Sequence, residues 1–595
     1  MEHHVAVGGN DRNDGSFSKP FKTIAAAAKK ALPGDTITVH EGIYREQVSP
    51  PRGGRSEKER IWYRAARGEK VELKGSEVIK NWRRVNNSDA IWTVKIPAAF
   101  FGKFNPYRDT IHGDWLSAGS WCHTGEVYLN GKSFTEVRSK KALDSIGEQW
   151  YCEADAKETR LWANFKNANP NNELAEINVR QAVFYPSQPG INYIRVSGFV
   201  MCQAAAPWAP PTAEQIGLLG THWSKGWVIE NNVIKQSKCV GLTLGKYGDE
   251  QDNKSATAEA YIKTIARASK NSWDKNSKGS HVVRNNTIYD CGQAGIAGSL
   301  GAIFSKIEHN DIHDIGKQKL FWGYEKAGIK IHAAIDVEIS NNHIYRTEGG
   351  IWLDWMAQGT RITKNILHDN SVQDISLEVN HGPILLDNNL FLSPQLAQVR
   401  LSQGVAFVHN LIAWKLWETA DLDERETPFL QPHTAVLAGL HNNPSGDARF
   451  YNNVFIGRTD LSPYDNSSLP VQMDGNVFLK DAKPSAHEKQ PILKPSYNSN
   501  AEATEKDGQV YLFVNLEKRW SQEKKLTFIT NKELGTAVIP KQSFDNQEGH
   551  SFDISADYLG KERDKNEPCA GPFEISRDGR QEIKIWNINS ANYEL

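Results

Sequence analysis

Two acidic residues stand in two closely matched apolar stretches. Asp354 lies in "GIWLDWMAQGT" and Glu378, 24 residues later, in "DISLEVNHGP". Carboxylates are poor strand formers and costly to bury, yet a pair of them is what glycoside chemistry needs, one as nucleophile or base and one as acid. In a β-strand, side chains alternate between two faces. Ile351, Leu353 and Trp355 then share one face, and Trp352 and Asp354 the other. Likewise Ile375, Leu377 and Val379 oppose Ser376 and Glu378. The apolar set reads as core, which leaves both acids on an outer wall. A single acid there would ordinarily be solvated surface. Two acids facing each other on adjacent strands repel, so a purely structural pair is harder to justify.

The elements that would position them come from an internal repeat. An asparagine, any residue, then an apolar residue recurs at Asn232, Asn286, Asn310, Asn342, Asn365, Asn389, Asn410, Asn453 and Asn476. From Asn286 the steps are 24, 32, 23, 24, 21, 43 and 23 residues. A period near 23, carried by short β-branched runs without helical periodicity, predicts an all-β parallel β-helix. A leucine-rich repeat has a similar period, but its spaced leucines are absent. Stacked asparagines can hydrogen-bond along such a ladder. The 54-residue first step contains a long polar excursion, residues 246–280.

The ladder serves as a ruler. Asp354 lies 11 residues before Asn365 and Glu378 11 before Asn389, the same phase of consecutive coils. Neighbouring strands are about 4.7–4.9 Å apart, so the carboxyls should lie about 5–6 Å apart. Retaining glycosidases hold the pair about 5–5.5 Å apart and inverting ones about 6.5–9.5 Å, so the spacing predicts retention. The column extends to His332, ten residues before Asn342, and to Arg400, ten before Asn410. Trp352 and Trp322 beside the pair offer a sugar platform. Arg400 next to an acid that must be protonated is expected to point elsewhere or to bind substrate. No cluster shows metal-ligand spacing, and no cofactor is expected.

Domain organisation follows from where the period holds. Residues 1–78 read as an N-terminal helical cap and first coils, with "ITVHEG" and "IWYRAA" placing Val39 and Tyr63 one coil apart. Residues 79–183 lose the period and read as an inserted antiparallel β-sandwich. Residues 184–485 form the main solenoid, and 486–595 an all-β segment without a set place. The net charge of −1, from 70 basic and 71 acidic residues, gives no footprint for nucleic acid. No apolar run reaches membrane length. The start lacks a signal-peptide pattern, so a cytoplasmic location is expected. The six cysteines form no C-x-x-C pair and read as free thiols. Nothing opposes a homo-oligomer.

The motifs "GIWLDWMAQGT", "LEVNHGP" and "GYEKAGIKIHAAIDVEI" resemble glycoside hydrolase family 120, as do "HVAVGGNDRNDGSFSKPFKTI", "FGKFNPYRDTIHGDWL", "PWAPPTAEQIGL" and "RNNTIYDCGQAGI". The resemblance spans most of residues 3 to 460. It implies a right-handed parallel β-helix with an intervening β-sandwich, and a retaining β-xylosidase acting on xylo-oligosaccharides. It further implies Asp354 as nucleophile, Glu378 as general acid/base, and sugar contacts from Glu325 and Trp115. Relatives commonly carry histidine before that glutamate, where this chain has Tyr324. Two other classes fit the fold: a polysaccharide lyase, which would need Ca²⁺ and clustered acids, and a non-catalytic carbohydrate-binding solenoid, which would tolerate loss of either acid.

Overall fold

Apolar runs of a few residues, broken by polar corners, give strands too short to stand alone, and they gain stability by stacking coil on coil. The computed structural model describes residues 1–86, 88–144, 147–413, 415–419 and 425–587. In it a parallel β-helix is built from three sheets of 13, 13 and eight strands. One coil runs Glu338–Ser340, His343–Tyr345, Gly349–Asp354. The next runs Thr360–Thr363, Ile366–His368, Gln373–Asn380, and each strand pairs in parallel with its counterpart. Ile339, Ile344, Ile351 and Leu353 point inward and stack on Ile362, Leu367, Ile375 and Leu377, all fully buried.

The asparagine ladder occupies the corner between the first and second sheets. From Asn232 to Asn453, each asparagine donates from both its backbone N and its Nδ2 to the Oδ1 of the next. Asn342 does so to Asn365 at 2.9 and 3.0 Å, and Asn365 to Asn389 at 3.0 Å for both. Nδ2 also reaches a carbonyl of the preceding coil, as from Asn365 to Ile339 at 2.9 Å. The buried amides are therefore satisfied. The residue just before each ladder asparagine is left-handed: φ is 53° at Asn285, 55° at His309, 52° at Asn341, 57° at Lys364 and 56° at Asn388. That conformation disfavours most L-residues, and the ladder bonds hold it.

At the N-terminal end, Thr23 caps the helix Ile24–Lys30, its side chain accepting from the Ala26 N. Ile24, Ala27 and Ala28 cover the first coil. The register there differs from the sequence reading. Ile37 pairs with Tyr63, and Val39 with Ala65, because no ladder asparagine fixes the corner in these coils.

The inserted segment holds two sheets. One orders Lys132–Ser133, Val127–Leu129, Ala175–Asn178 and Ser76–Val78; the other orders Thr135–Glu136, Gln149–Ala154, Glu158–Asn164, Ile91–Pro97 and Arg83–Arg84. Trp82, Trp150, Phe134 and Ile177 pack between them. The excursion at 246–280 contains a helix, Ala258–Ser269, capped by Thr257.

The C-terminal segment, expected to be all-β, has one three-stranded sheet (Glu502–Lys506, Gln509–Leu516, Gly579–Asn587) and two one-turn helices, Trp520–Glu523 and Asn531–Leu534. Its Val510, Leu512, Val514 and Trp586 pack on Ile366, Leu390, Leu411, Val454 and Val477 of the second sheet. Ile529, Leu534, Phe544 and Ile554 cover Leu385, Ala406 and Val408 of the first. The third sheet is left to other segments.

Candidate active site

Four strands of the third sheet, Ala327–His332, Gly349–Asp354, Gln373–Asn380 and Leu396–Ser402, pair in parallel. Their register puts His332, Asp354, Glu378 and Arg400 in one row. Asp354 and Glu378 are direct partners across two strands, a spacing of about 5 Å. Strand alternation stops at this row, one residue earlier than the sequence suggested. Trp355 and Val379, expected inside with Leu353 and Leu377, have φ of 46° and 58°. The chain bends there, and both side chains pack outside the solenoid against Tyr261 and Met356.

The row faces outward, as alternation requires, but not into open water. Asp354 is 7% exposed and His332 2%. This outer wall is roofed by segments remote in sequence. From the inserted domain, Leu116–Ala118 pairs antiparallel with Trp322–Gly323, which brings Trp115 over the row, its ring 6.5 Å from His332. Asp114 anchors this crossing. Its Oδ2 accepts from Thr212 Oγ1 at 2.7 Å and from the Ser255 N at 2.9 Å, and its carbonyl accepts from Trp208 Nε1 at 2.9 Å. A Cβ on Gly323 would sit 2.5 Å from the Trp115 carbonyl oxygen, so the approach requires glycine. The helix Ala258–Ser269 buries Tyr261, Ile265 and Ala268, residues spaced along one helical face, and Tyr261 meets the His332 ring edge-on at 5.6 Å.

These segments enclose a cavity of about 420 Å³, within the range of small-molecule sites. Glu325, His332, Trp352, Asp354 and Glu378 line its floor, and Trp115, Tyr261, Tyr324 and Arg425 its walls. Trp322 is not part of this lining; its Nε1 donates to Glu348 Oε1 at 2.6 Å. Arg400 does not point away: its Nη1 lies 3.3 Å from Glu378 Oε1. Glu325, a residue the resemblance implies as a sugar contact, is 4% exposed.

Lys330 precedes His332 by two residues on the same strand face. It is buried, donates from Nζ to Asp354 Oδ2 at 2.8 Å, and lies 3.7 Å from Glu325 Oε2. The same ammonium sits 3.5 Å over the Trp352 ring, its neighbour in register. His332 Nε2 is 3.5 Å from both Glu325 Oε1 and Asp354 Oδ2.

The two acids are driven in opposite directions. Burial pushes Asp354 upward, but the Lys330 ammonium and then His332 outweigh it, and its carboxyl is held below the usual range. Burial, reinforced by the Asp354 charge, raises Glu378 to about 7 against the pull of Lys330, Arg400 and Arg425. Separated affinities of this kind assign an ionised and a protonated partner. Asp354 Oδ1, both His332 ring nitrogens and Trp352 Nε1 are buried without a hydrogen-bond partner among the described residues.

The fold also assembles two groups with ligand proximity that linear spacing did not reveal, Glu325–His332–Asp354 and His123–Glu136–Cys152. In the first, Lys330 already supplies a cation to both carboxylates. Lys330, Tyr261 and Arg425 are the site residues that sequence reasoning missed. Lys330 was detectable two residues before His332 on the same face, and Tyr261 by its helical spacing with Ile265 and Ala268. Nothing in the sequence marks Arg425.

Residues 79–149 and 140–177 match the insertion domain of glycoside hydrolase 120, and residues 264–412 match a right handed beta helix region, so the solenoid is right-handed. Residues 7–50 match a protein of unknown function, DUF1565. The solved structure described as the complex of XylC with xylose is 38% identical, with a TM-score of 0.93 over 98% of this chain and 100% of that one. A structure described as a glycoside hydrolase is 12% identical, with a TM-score of 0.44 over 84% of this chain and 97% of that one. The uncharacterized protein YwoF of Bacillus subtilis (strain 168) is 36% identical over 75 residues, 13% of this chain and 16% of that protein.

Proposed function

The chain belongs to glycoside hydrolase family 120, and from that premise we propose that it is a retaining, exo-acting β-xylosidase that releases xylose from short β-1,4-xylo-oligosaccharides. The observation that carries the reading is the direct pairing of Asp354 with Glu378, one held ionised and the other near 7. Xylose as the sugar rests on the likeness to XylC.

Asp354, ionised beside Lys330, attacks the anomeric carbon of the terminal sugar from one face. Glu378 donates its proton to the departing glycosidic oxygen, and a glycosyl ester forms on Asp354. Esterification removes the Asp354 charge that helped to raise Glu378, so Glu378 stays ionised after giving up its proton and is in the form that can take one from the incoming water. Water then releases the sugar with its configuration kept. Glu325 accepts hydrogen bonds from sugar hydroxyls, while Trp115 and Trp352 flank the ring. The scheme uses two carboxyls and water. Exo action follows from the roof: Trp115, Tyr261 and Tyr324 make a pocket suited to a chain end, where an internal bond would need an open groove. The test is NMR of the first product released from an aryl β-xyloside. Initial β-xylose is expected; initial α-xylose would overturn the double displacement.

A further inference from the structure

Each residue that follows a member of the catalytic row is left-handed. φ is 54° at Ala333, 46° at Trp355, 58° at Val379 and 50° at Leu401, a conformation that L-residues disfavour. The coil of Asp354 bends harder than the other three, because Met356 is left-handed as well, with φ of 63°. The strand register ends at Asp354 and Glu378, where the Trp355 N donates to the Glu378 carbonyl at 3.0 Å. Past that point the Asn380 side chain joins the two coils. Asn380 lies two residues after Glu378 and is fully buried. Its Oδ1 accepts from the Ala357 N at 2.8 Å, and its Nδ2 donates to the Leu353 carbonyl at 3.3 Å. Those two backbone groups lie on either side of Asp354 in the chain. Asn380 is itself tied to the next coil. Its N and Nδ2 each donate to Ser402 Oγ at 3.3 Å, and that hydroxyl donates to the Arg400 carbonyl at 3.1 Å.

Two residues past the row stand Ala334, Met356, Asn380 and Ser402, so an amide occupies this place in one coil only, that of the acid/base. The corner ladder repeats its asparagine in coil after coil, as a purely structural device does; a single amide that brackets the nucleophile does not arise from the repeat. Resting on the double-displacement reading above, we propose that Asn380 is a positioning residue, which sets the separation of the two carboxyls by holding the bend that follows Asp354. The nucleophile has little else to fix it. Its Oδ2 is held by Lys330, and its Oδ1 has no hydrogen bond among the described residues. The backbone on either side of Asp354 therefore decides where the carboxyl stands relative to Glu378. Retention needs the pair about 5–5.5 Å apart, and a displacement of about 1 Å can cost about 10²-fold in rate. The separation also governs the acid. Of the charged groups that face Glu378, namely Asp354, Lys330, Arg400 and Arg425, Asp354 alone raises its affinity for the proton. Carboxyls that drift from about 5 to about 7 Å apart repel less, which lowers Glu378 by roughly half a unit or more.

The experiment sets Asn380→Ala against Asn365→Ala, which removes a buried amide from another corner of the same coil. For each variant, kcat/KM on a nitrophenyl β-xyloside is followed across pH, and stability is read by denaturant unfolding. Asn380→Ala should lose about tenfold to a hundredfold in kcat/KM, and the alkaline limb of its profile should move down by about half a unit or more. Asn365→Ala should keep both the rate and the limb of the unaltered enzyme. Asn380→Ser is measured alongside. Its hydroxyl is too short to reach both the Ala357 N and the Leu353 carbonyl, so it should shift the limb in the same direction, and it carries the test if the alanine variant does not fold. An alkaline limb that stays in place in the folded Asn380 variants, whatever they lose in rate or stability, would overturn the positioning role. The same shift in Asn365→Ala would overturn it as well. Release of α-xylose by the unaltered enzyme would strike the double-displacement reading instead.

Discussion

Two polar rows run along the same solenoid with the same spacing, and they are built in opposite ways. In the asparagine ladder the amides of successive coils pair with one another, and Asn342, Asn365, Asn389 and Asn410 are fully buried and hydrogen-bonded. In and beside the catalytic row, Asp354 Oδ1, both nitrogens of His332 and Trp352 Nε1 are buried without a hydrogen bond among the described residues. A buried polar group without a partner costs about 1–3 kcal/mol. A row that keeps several such groups is organised for a ligand, whereas a row that satisfies them all is organised for the fold. The difference also lies in side-chain chemistry: an amide carries donor and acceptor together and can repeat indefinitely, while carboxylates on adjacent strands repel, and here Lys330 compensates Asp354 from the strand on its other side.

The comparison predicts that the two rows fail in different observables. The largest effect is expected in the catalytic row. Asp354→Asn should lower kcat on a nitrophenyl β-xyloside by about 10⁴-fold or more, the scale of losing a nucleophile, with the thermal midpoint little changed. Comparable losses of activity and stability would erase the distinction. In the ladder the order reverses. Asn365→Ala leaves the Asn342 N and Nδ2 without their acceptor and should cost about 2–5 kcal/mol in denaturant unfolding, while the folded enzyme keeps its kcat. A neutral effect on stability would show that the ladder records the repeat without holding it.

The smallest effect sharpens the reading of the catalytic row. Glu378 must be protonated, so kcat/KM should fall as pH rises through about 7. Asp354 must be ionised and is held low by Lys330, so the acid limb should lie well below that. Lys330→Gln removes the favourable charge, raises the Asp354 pKa and should move the acid limb upward by about one unit, near 1.4 kcal/mol. A pH profile unchanged on its acid side would remove Lys330 from the control of the nucleophile.

The sequence was informative wherever one coil repeats another. The 11-residue offsets of Asp354 and Glu378 from their ladder asparagines place them in one row because the corner is rigid, and the ten-residue offsets of His332 and Arg400 do the same. The roof was not legible in the repeat, because no repeat relates Trp115, Tyr261 or Arg425 to the strands beneath them; Trp115 entered through the resemblance alone. Burial of the acids was missed for that reason: alternation tells which way a side chain points, not what covers it. One cover did leave a trace. The residue after each ladder asparagine faces outward on the second sheet. It is Val233, Thr287, Asp311 and His343 in the earlier coils, then Ile366, Leu390, Leu411, Val454 and Val477. The change to an unbroken apolar run marks where the C-terminal segment docks. Trp355 and Val379 were misplaced because periodicity carries no warning of a left-handed bend.

The central claim is that adjacent coils supply a nucleophile and its acid/base partner, and one trapping experiment tests it directly. Glu378→Ala lacks the base for the second step, while a nitrophenyl xyloside needs little protonation for the first. On mixing the two, a burst of nitrophenolate should appear. Mass spectrometry of the quenched protein should then find one xylosyl group esterified to the peptide that contains Asp354, and added azide should discharge it as the β-xylosyl azide. A xylosyl group on any other residue, or α-xylosyl azide formed without a covalent intermediate, would contradict the account.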